Sequence, residues 1–313
     1  MIQPAPLVVI LGPTASGKSS LAIEVARRWN GEVLCCDSTQ LYRHFDIGTS
    51  KPGATEQRGI PHHLMDLLEP HEVFTAGDYR RRALHVLADL RGRARLPVLT
   101  AGTGLYLRAL LEGLAAAPGR SEQLRERLRQ RSLLRGAGYL HRILARLDPP
   151  TALRVAPQDE AKLIRAIEVC LSAGRPMSQV MLQPRPHLEG FHAVKIGLMP
   201  PRSALYERIE RRTHAMLAAG WVDEVRSLVA SGFDPGAKPF QFIGYSELRA
   251  HLAGVVDLET AARAIQQATR RYAKRQITWF RREPAVDWFQ GFGDDVAVAA
   301  RVFSLLESRL GAA

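Results

Sequence analysis

Leu7-Val8-Val9-Ile10-Leu11-Gly12-Pro13-Thr14-Ala15-Ser16-Gly17-Lys18-Ser19 decides the fold of this chain. Its first five residues form an apolar, β-branched run of the kind that fills a buried parallel strand. The next eight fit the spacing G-x-x-x-x-G-K-[ST], in which glycines let successive N–H groups converge on phosphate oxygens at the positive end of a helix. Lys18 adds a mobile cation, and the Ser19 hydroxyl can hold a magnesium ion that bridges phosphates. Residues 20–29 follow with the apolar spacing of an amphipathic helix, so the strand–loop–helix context is complete. Gly12, Pro13, Thr14, Ala15, Ser16, Gly17, Lys18 and Ser19 are therefore the phosphate-binding candidates.

The chain has 313 residues, 46% of them hydrophobic, enough for one large domain or a core with a smaller attachment. Its formal net charge of +12 favours a polyanionic partner such as nucleic acid or an anionic surface. Cys35, Cys36 and Cys170 are odd in number and contain no C-x-x-C pair, and they read as buried thiols in a reducing compartment. No basic leader precedes the first strand, and no apolar run approaches the ~18 residues of a membrane span. A soluble, cytoplasmic protein with no membrane association is expected.

Residues 32–36 and 96–100 read as further buried strands, with helical spacing over 78–93 between them. From about 113 to 190 the pattern becomes helical, with pieces at 121–135, 139–147 and 159–173, and Gln183-Pro184-Arg185-Pro186 reads as a linker. Strand character returns over 191–198, followed by helices at 202–219, 223–231 and 258–281. The expected architecture is a P-loop NTPase-like, doubly wound parallel α/β sheet. Residues 1–112 and 191–313 supply the core with its C-terminal helices, and 113–190 form an inserted helical subdomain.

In such a sheet the carboxyl ends of neighbouring strands line one crevice, so Asp37, after the second strand, should face the phosphate ligand. From position alone it reads as a magnesium-associated carboxylate, as a general base aimed at a second substrate, or as a turn residue. Gly102-Thr103-Gly104 ends another strand, where small residues let the Thr103 hydroxyl approach a ligand or simply cap a helix. Arg270, Arg271, Lys274, Arg275, Arg281 and Arg282, interleaved with Tyr272, Trp279 and Phe280, suit RNA backbone and base stacking. The same pattern also describes an amphipathic core helix with a solvated basic face.

Taken in order, these elements resemble the tRNA dimethylallyltransferase family, also called tRNA isopentenyltransferase. The likeness runs through Gly12-Pro13-Thr14-Ala15-Ser16-Gly17-Lys18-Ser19, Asp37-Ser38-Thr39-Gln40-Leu41-Tyr42, Asp46-Ile47-Gly48-Thr49-Ser50-Lys51-Pro52, Gly59-Ile60-Pro61-His62-His63-Leu64-Met65-Asp66 and Ala76-Gly77-Asp78-Tyr79. It continues through Gly102-Thr103-Gly104-Leu105-Tyr106, Arg165-Ala166-Ile167-Glu168-Val169, Ile243-Gly244-Tyr245 and Thr269-Arg270-Arg271-Tyr272-Ala273-Lys274-Arg275-Gln276-Ile277-Thr278-Trp279-Phe280, nearly the whole chain.

The resemblance implies transfer of a dimethylallyl group from its diphosphate to N6 of the adenosine 3′ of the anticodon, with Mg2+ and release of diphosphate. It implies Asp37 as general base, Thr103 at the diphosphate and reacting centre, and Arg212 as the diphosphate grip. Arg211, about 100° round its helix, is left to solvent. It also implies tRNA contacts along Asp37-Ser38-Thr39-Gln40, Thr103, Ala161-Lys162-Leu163-Ile164-Arg165 and Gln241-Phe242-Ile243-Gly244-Tyr245-Ser246. The chain departs from the family pattern at Ala161-Lys162, where Gln-Arg is common, and at Phe240-Gln241, where Arg-Gln is common. His62 and His63 sit in a family motif but read as structural rather than metal-binding. The anticodon stem-loop and dimethylallyl diphosphate are the expected partners, with no protein partner. The rivals are a P-loop small-molecule or nucleotide kinase, which leaves the basic C-terminal helix without a task, and a non-catalytic RNA-binding module.

Overall fold

The computed structural model describes residues 4–311. Its six strands are β1 (Ala5–Leu11), β2 (Gly31–Cys36), β3 (His62–His63), β4 (Leu96–Ala101), β5 (Phe191–Leu198) and β6 (Val286–Phe289). They form one all-parallel sheet in the order β3-β2-β4-β1-β5-β6. From β1 the chain moves to β2 and β3 on one side, returns through β4, and continues to β5 and β6 on the other. This is the doubly wound, P-loop NTPase-like topology that the sequence predicts.

The helices are α1 (Lys18–Arg28), α2 (Ala54–Gln57), α3 (Ala76–Gly92), α4 (Gly104–Leu111), α5 (Glu122–Arg135), α6 (Tyr139–Leu147), α7 (Pro149–Ala152), α8 (Glu160–Ala173), α9 (Met177–Val180), α10 (Arg202–Ala218), α11 (Trp221–Ala230), α12 (Tyr245–Leu252), α13 (Leu258–Phe280) and α14 (Val296–Leu310). Residues 111–188 form one compact unit and the rest of the chain another. No helix among the described residues is long and apolar enough to cross a membrane.

The larger unit is built on β1. Leu7, Val8, Val9, Ile10 and Leu11 are all fully buried, because both faces of the sheet are covered. Leu21 and Val25 of α1 and Val298, Val302 and Leu306 of α14 pack with Val8 and Ile10, at helical spacings that keep each apolar stripe against the sheet. Burial of each such side chain contributes at most roughly 1.5–3 kcal/mol. Helix α3 begins two residues before the expected Asp78. Thr75 Oγ1 accepts from the Asp78 N–H (3.2 Å) while Asp78 Oδ2 accepts from the Thr75 N–H (2.9 Å), a capping box that moves the start upstream.

The smaller unit packs Leu128, Leu140, Leu144, Leu163, Ile164 and Ile167 of α5, α6 and α8 into one apolar core, and α8 also carries a buried carboxylate, Glu168. That carboxylate accepts from the Ser121 N–H (2.7 Å), from Arg125 Nε (2.9 Å) and Nη2 (2.7 Å), and from Arg165 Nη1 (2.6 Å). Burial pushes its pKa up. The hydrogen bonds from Arg125, Ser121 and Arg165 outweigh burial and hold it at about 2, below the ordinary 4.5.

A carboxyl with a depressed folded pKa stabilises fully above its unfolded value, and that contribution is lost as pH falls toward the folded value. We therefore expect the melting temperature of Glu168→Gln to lie below wild type at pH 6, by an amount corresponding to about 2–3 kcal/mol, since Arg165 is partly exposed. The gap should narrow between pH 4.5 and 2. A gap independent of pH over that range contradicts the assignment.

Candidate active site

The carboxyl ends of β1, β2 and β4 are level, because Leu11 and Cys36 both pair with Ala101. The residues that follow, 12–19, 37–40 and 102–104, therefore emerge side by side. In the loop after β1, Ala15 (φ 63°) and Gly17 (φ 84°) take left-handed conformations. A Cβ on Gly17 would meet Asp294 Oδ1 at 2.6 Å and Gly293 N at 2.8 Å, so a side chain there is excluded by both contact and φ. The N–H groups of Ala15, Gly17, Lys18 and Ser19 have no protein acceptor among the described residues, and the buried Ser16 hydroxyl is likewise without a partner. Convergent free N–H groups at the start of α1 form a ready anion cradle.

Lys18 Nζ donates to Pro13 O (2.8 Å). Burial lowers its pKa to about 8, with Asp37 pulling it back up and Arg212 adding to the depression. Arg212, from α10, donates through Nη1 to Thr14 Oγ1 (3.1 Å) and through Nη2 to Ser50 Oγ. Arg211 is exposed, and Arg208 pairs with Asp294 (2.6 Å). Of these three arginines in α10, only Arg212 reaches the cradle side chains.

Asp37 Oδ1 accepts from Thr39 N (2.9 Å) and Thr39 Oγ1 (2.8 Å), which leaves Oδ2 facing Gly102. A Cβ on Gly102 would fall on Oδ2. Thr103 Oγ1 accepts from the Ser38 N–H (2.9 Å), while the Gly102 and Thr103 N–H groups both donate to Cys36 O. Burial pushes the Cys36 thiol up to about 12 and the Cys35 thiol well above its ordinary value, so both stay neutral.

A cavity of about 320 Å³ opens beside Thr14, Asp37, Ser38, Thr39 and Arg212. Thr14, Arg212 and Asp37 line a polar part of its wall, and Ile209, Met216, Trp221, Phe242, Ile243 and Ile265 line an apolar part. Glu224 braces the rim: its carboxylate accepts from the Asp46 and Ile47 N–H groups (3.0 and 2.7 Å) and from the Tyr245 hydroxyl (2.7 Å). Sequence reasoning missed Glu224, Trp221 and Gln276. The last of these lies within the stretch 269–280 that carries the resemblance, but no task is assigned to it there.

The RNA-contact candidates divide. Ser38, Thr39, Gln241, Phe242 and Ile243 line the cavity, whereas Gln40 is engaged with Thr49 O and Ser50 O. Gly244 and Tyr245 are buried and Ser246 is exposed. In the smaller unit Ala161 and Lys162 are exposed, Leu163 and Ile164 belong to its core, and Arg165 is tied to Glu168 and Pro118 O. Helix α13 is amphipathic: Ala261, Ile265, Ala273 and Phe280 are buried, which removes Phe280 from the residues expected to stack on bases, while Arg271, Lys274 and Arg275 face solvent, as do Arg281 and Arg282 just beyond its end. His63 Nε2 pairs with Glu32 (2.7 Å) and His62 Nδ1 with Ile60 O (2.8 Å), contacts that serve the sheet edge.

The profile of the family described as IPP transferase matches residues 40–283. The chain is 51% identical to a tRNA dimethylallyltransferase of Koribacter versatilis, over 96% of this chain and 98% of that one. A crystal structure of the full-length tRNA isopentenylpyrophosphate transferase of Bacillus halodurans superposes with a TM-score of 0.72 at 36% identity, covering 97% of this chain and 96% of that one. A eukaryotic dimethylallyltransferase acting on tRNA shares the fold, with a TM-score of 0.83 at 24% identity over 97% of this chain and 79% of that one.

Because the Lys18 cation is present below pH 8 and lost above it, affinity for inorganic diphosphate should fall above pH 8 relative to a Lys18→Arg variant, whose guanidinium stays charged. Calorimetric titrations from pH 6.5 to 9.5 measure that ratio. A ratio unchanged across the series contradicts a phosphate-facing Lys18.

Proposed function

This chain belongs to the IPP transferase family, the tRNA dimethylallyltransferases, and from that premise we propose that it moves a dimethylallyl group from dimethylallyl diphosphate to N6 of the adenosine 3′-adjacent to the anticodon of tRNA, releasing diphosphate. The observation that carries the reading is a cavity whose wall brings Thr14 of the loop after β1, Arg212 and Asp37 together with an apolar part. A five-carbon chain attached to a diphosphate needs both kinds of surface.

In the reaction the N6 lone pair forms a bond to C1 of the allyl group, the C1–O bond breaks, and its electron pair leaves with the diphosphate. The cradle N–H groups, Lys18 and Arg212 meet the charge that grows on that leaving group. The exocyclic amine is a poor nucleophile because its lone pair is delocalised into the ring, so proton removal must accompany attack. Asp37 Oδ2 takes the N6 proton, while Thr39 pins Oδ1 and keeps the carboxylate turned toward the reacting atoms. Thr103, held against Ser38, supports the reacting centre from the neighbouring strand.

Ser19, at the exposed first turn of α1, offers a hydroxyl to Mg2+. No cluster of three His, Cys, Asp or Glu side chains that could hold a metal is present among the described residues. That fits an ion that takes its other ligands from phosphate and water, and when bound it would neutralise charge on the leaving diphosphate. The anticodon stem-loop supplies the acceptor. Its adenine leaves the stack at a cost of a few kcal/mol, offset by phosphate contacts from Arg271, Lys274, Arg275, Arg281 and Arg282. Lys162 on the exposed face of α8 is a further candidate for such contacts. A tRNA substrate and neutral buried thiols fit a cytoplasmic enzyme.

Asp37→Asn removes the base and keeps the shape. Transfer to a stem-loop carrying adenosine 3′ of its anticodon should drop by about 10²–10⁴-fold, with RNA affinity within about threefold of wild type. Radiolabelled dimethylallyl diphosphate reports the transfer. Undiminished transfer by the variant, or phosphate release from ATP with no RNA product in the wild type, overturns the reading.

A further inference from the structure

We propose that Gln276 is a positioning residue that fixes the separation between the leaving-group cradle and the base. It lies near the C-terminal end of α13 and is only 6% exposed. Its Oε1 accepts from the Thr14 N–H (2.7 Å) and its Nε2 donates to Gly102 O (2.8 Å), with the Tyr272 hydroxyl 3.4 Å from the same carbonyl. The amide orientation follows from its partners, since a flipped amide would set N–H against N–H and carbonyl against carbonyl.

Each end of this bridge lies one contact from a reacting group. Thr14 also accepts from Arg212, and the Cα of Gly102 faces Asp37 Oδ2. Gln276 therefore spans the loops after β1 and β4. It also withdraws the Thr14 N–H from the anion cradle, leaving the later N–H groups of the loop to meet phosphate. An asparagine is one methylene too short to hold both partners, and a leucine holds neither.

The inference rests on the prenyl-transfer reading for its kinetic consequence but not for the bridge itself, and the two are separable. Gln276→Leu should lower kcat by about tenfold or more while the stem-loop Kd stays within about threefold, because alignment and not docking is lost. Gln276→Glu supplies the readout that packing alone would not move. A protonated glutamate offers one acceptor and one donor as glutamine does, whereas the ionised form turns a second acceptor toward Gly102 O and adds charge near Asp37. The ratio of Gln276→Glu to wild-type kcat should therefore fall as pH rises from about 4 to 8, a range that spans both the ordinary glutamate pKa and one raised by burial and by Asp37.

Hydrogen exchange at the Thr14 amide, slow in wild type and faster in Gln276→Leu with the rest of α1 unchanged, tests the bridge without reference to activity. A Gln276→Leu kcat within twofold of wild type, a pH-independent Gln276→Glu ratio, or unaltered Thr14 exchange overturns the proposal. A wild type that fails to prenylate RNA overturns the parent reading instead, and the exchange measurement still judges the bridge. Should Gln276→Leu not fold, the glutamate pH series decides.

Discussion

The level register of β2, β4 and β1 is the constraint on which the site depends. Because Ala101 pairs with both Cys36 and Leu11, three strands end in the same plane and deliver the anion cradle, Asp37 and Thr103 to one crevice. A shift of one residue in any of them would exchange its two faces and carry the side chain that follows away from the others. Register is secured by burial on both faces: β1, β2 and β4 present almost no exposed residue, so no alternative pairing keeps as much apolar surface from water.

Helix α13 converts that shared plane into a fixed geometry. One face belongs to the core through Ile265, Ala273 and Phe280. A second stripe sets Thr269 and Tyr272 in the cavity wall and buries Gln276 against the strand ends, and the third is basic and faces solvent. A single element thus joins the basic surface to the loops that carry the free N–H groups and Asp37. Arg212 of α10 and the Glu224 brace on residues 46–48 close the remaining sides.

The parts of this arrangement that the sequence disclosed are those with a one-dimensional signature. Buried parallel strands read as apolar runs, the cradle as a fixed spacing, and Asp37 as the residue after a strand end. Strand β3 is only His62–His63, and β6 is Val286–Phe289 with an aspartate inside it, both too short for periodicity to register. The capping box at Thr75 shifted a helix start by two residues. Gln276, Glu224 and Trp221 act through partners 174 or more residues away, or by packing against glycines across the cavity rim, as Trp221 does against Gly48. Such contacts exist only after folding. Resemblance singled out Arg212 from Arg208 and Arg211, and its side-chain contact with Thr14 gives the physical reason.

The central claim is that one cavity aligns an allylic diphosphate with an extruded adenine beside Asp37. The most direct measurement is a crystal structure with an anticodon stem-loop and an unreactive thio analogue of dimethylallyl diphosphate. The account predicts phosphate oxygens on the N–H groups of Ala15 and residues 17–19, N6 about 3–3.5 Å from C1, and Asp37 Oδ2 about 2.6–3.2 Å from N6. A diphosphate bound away from that loop, or an adenine whose N6 faces away from Asp37, would contradict it.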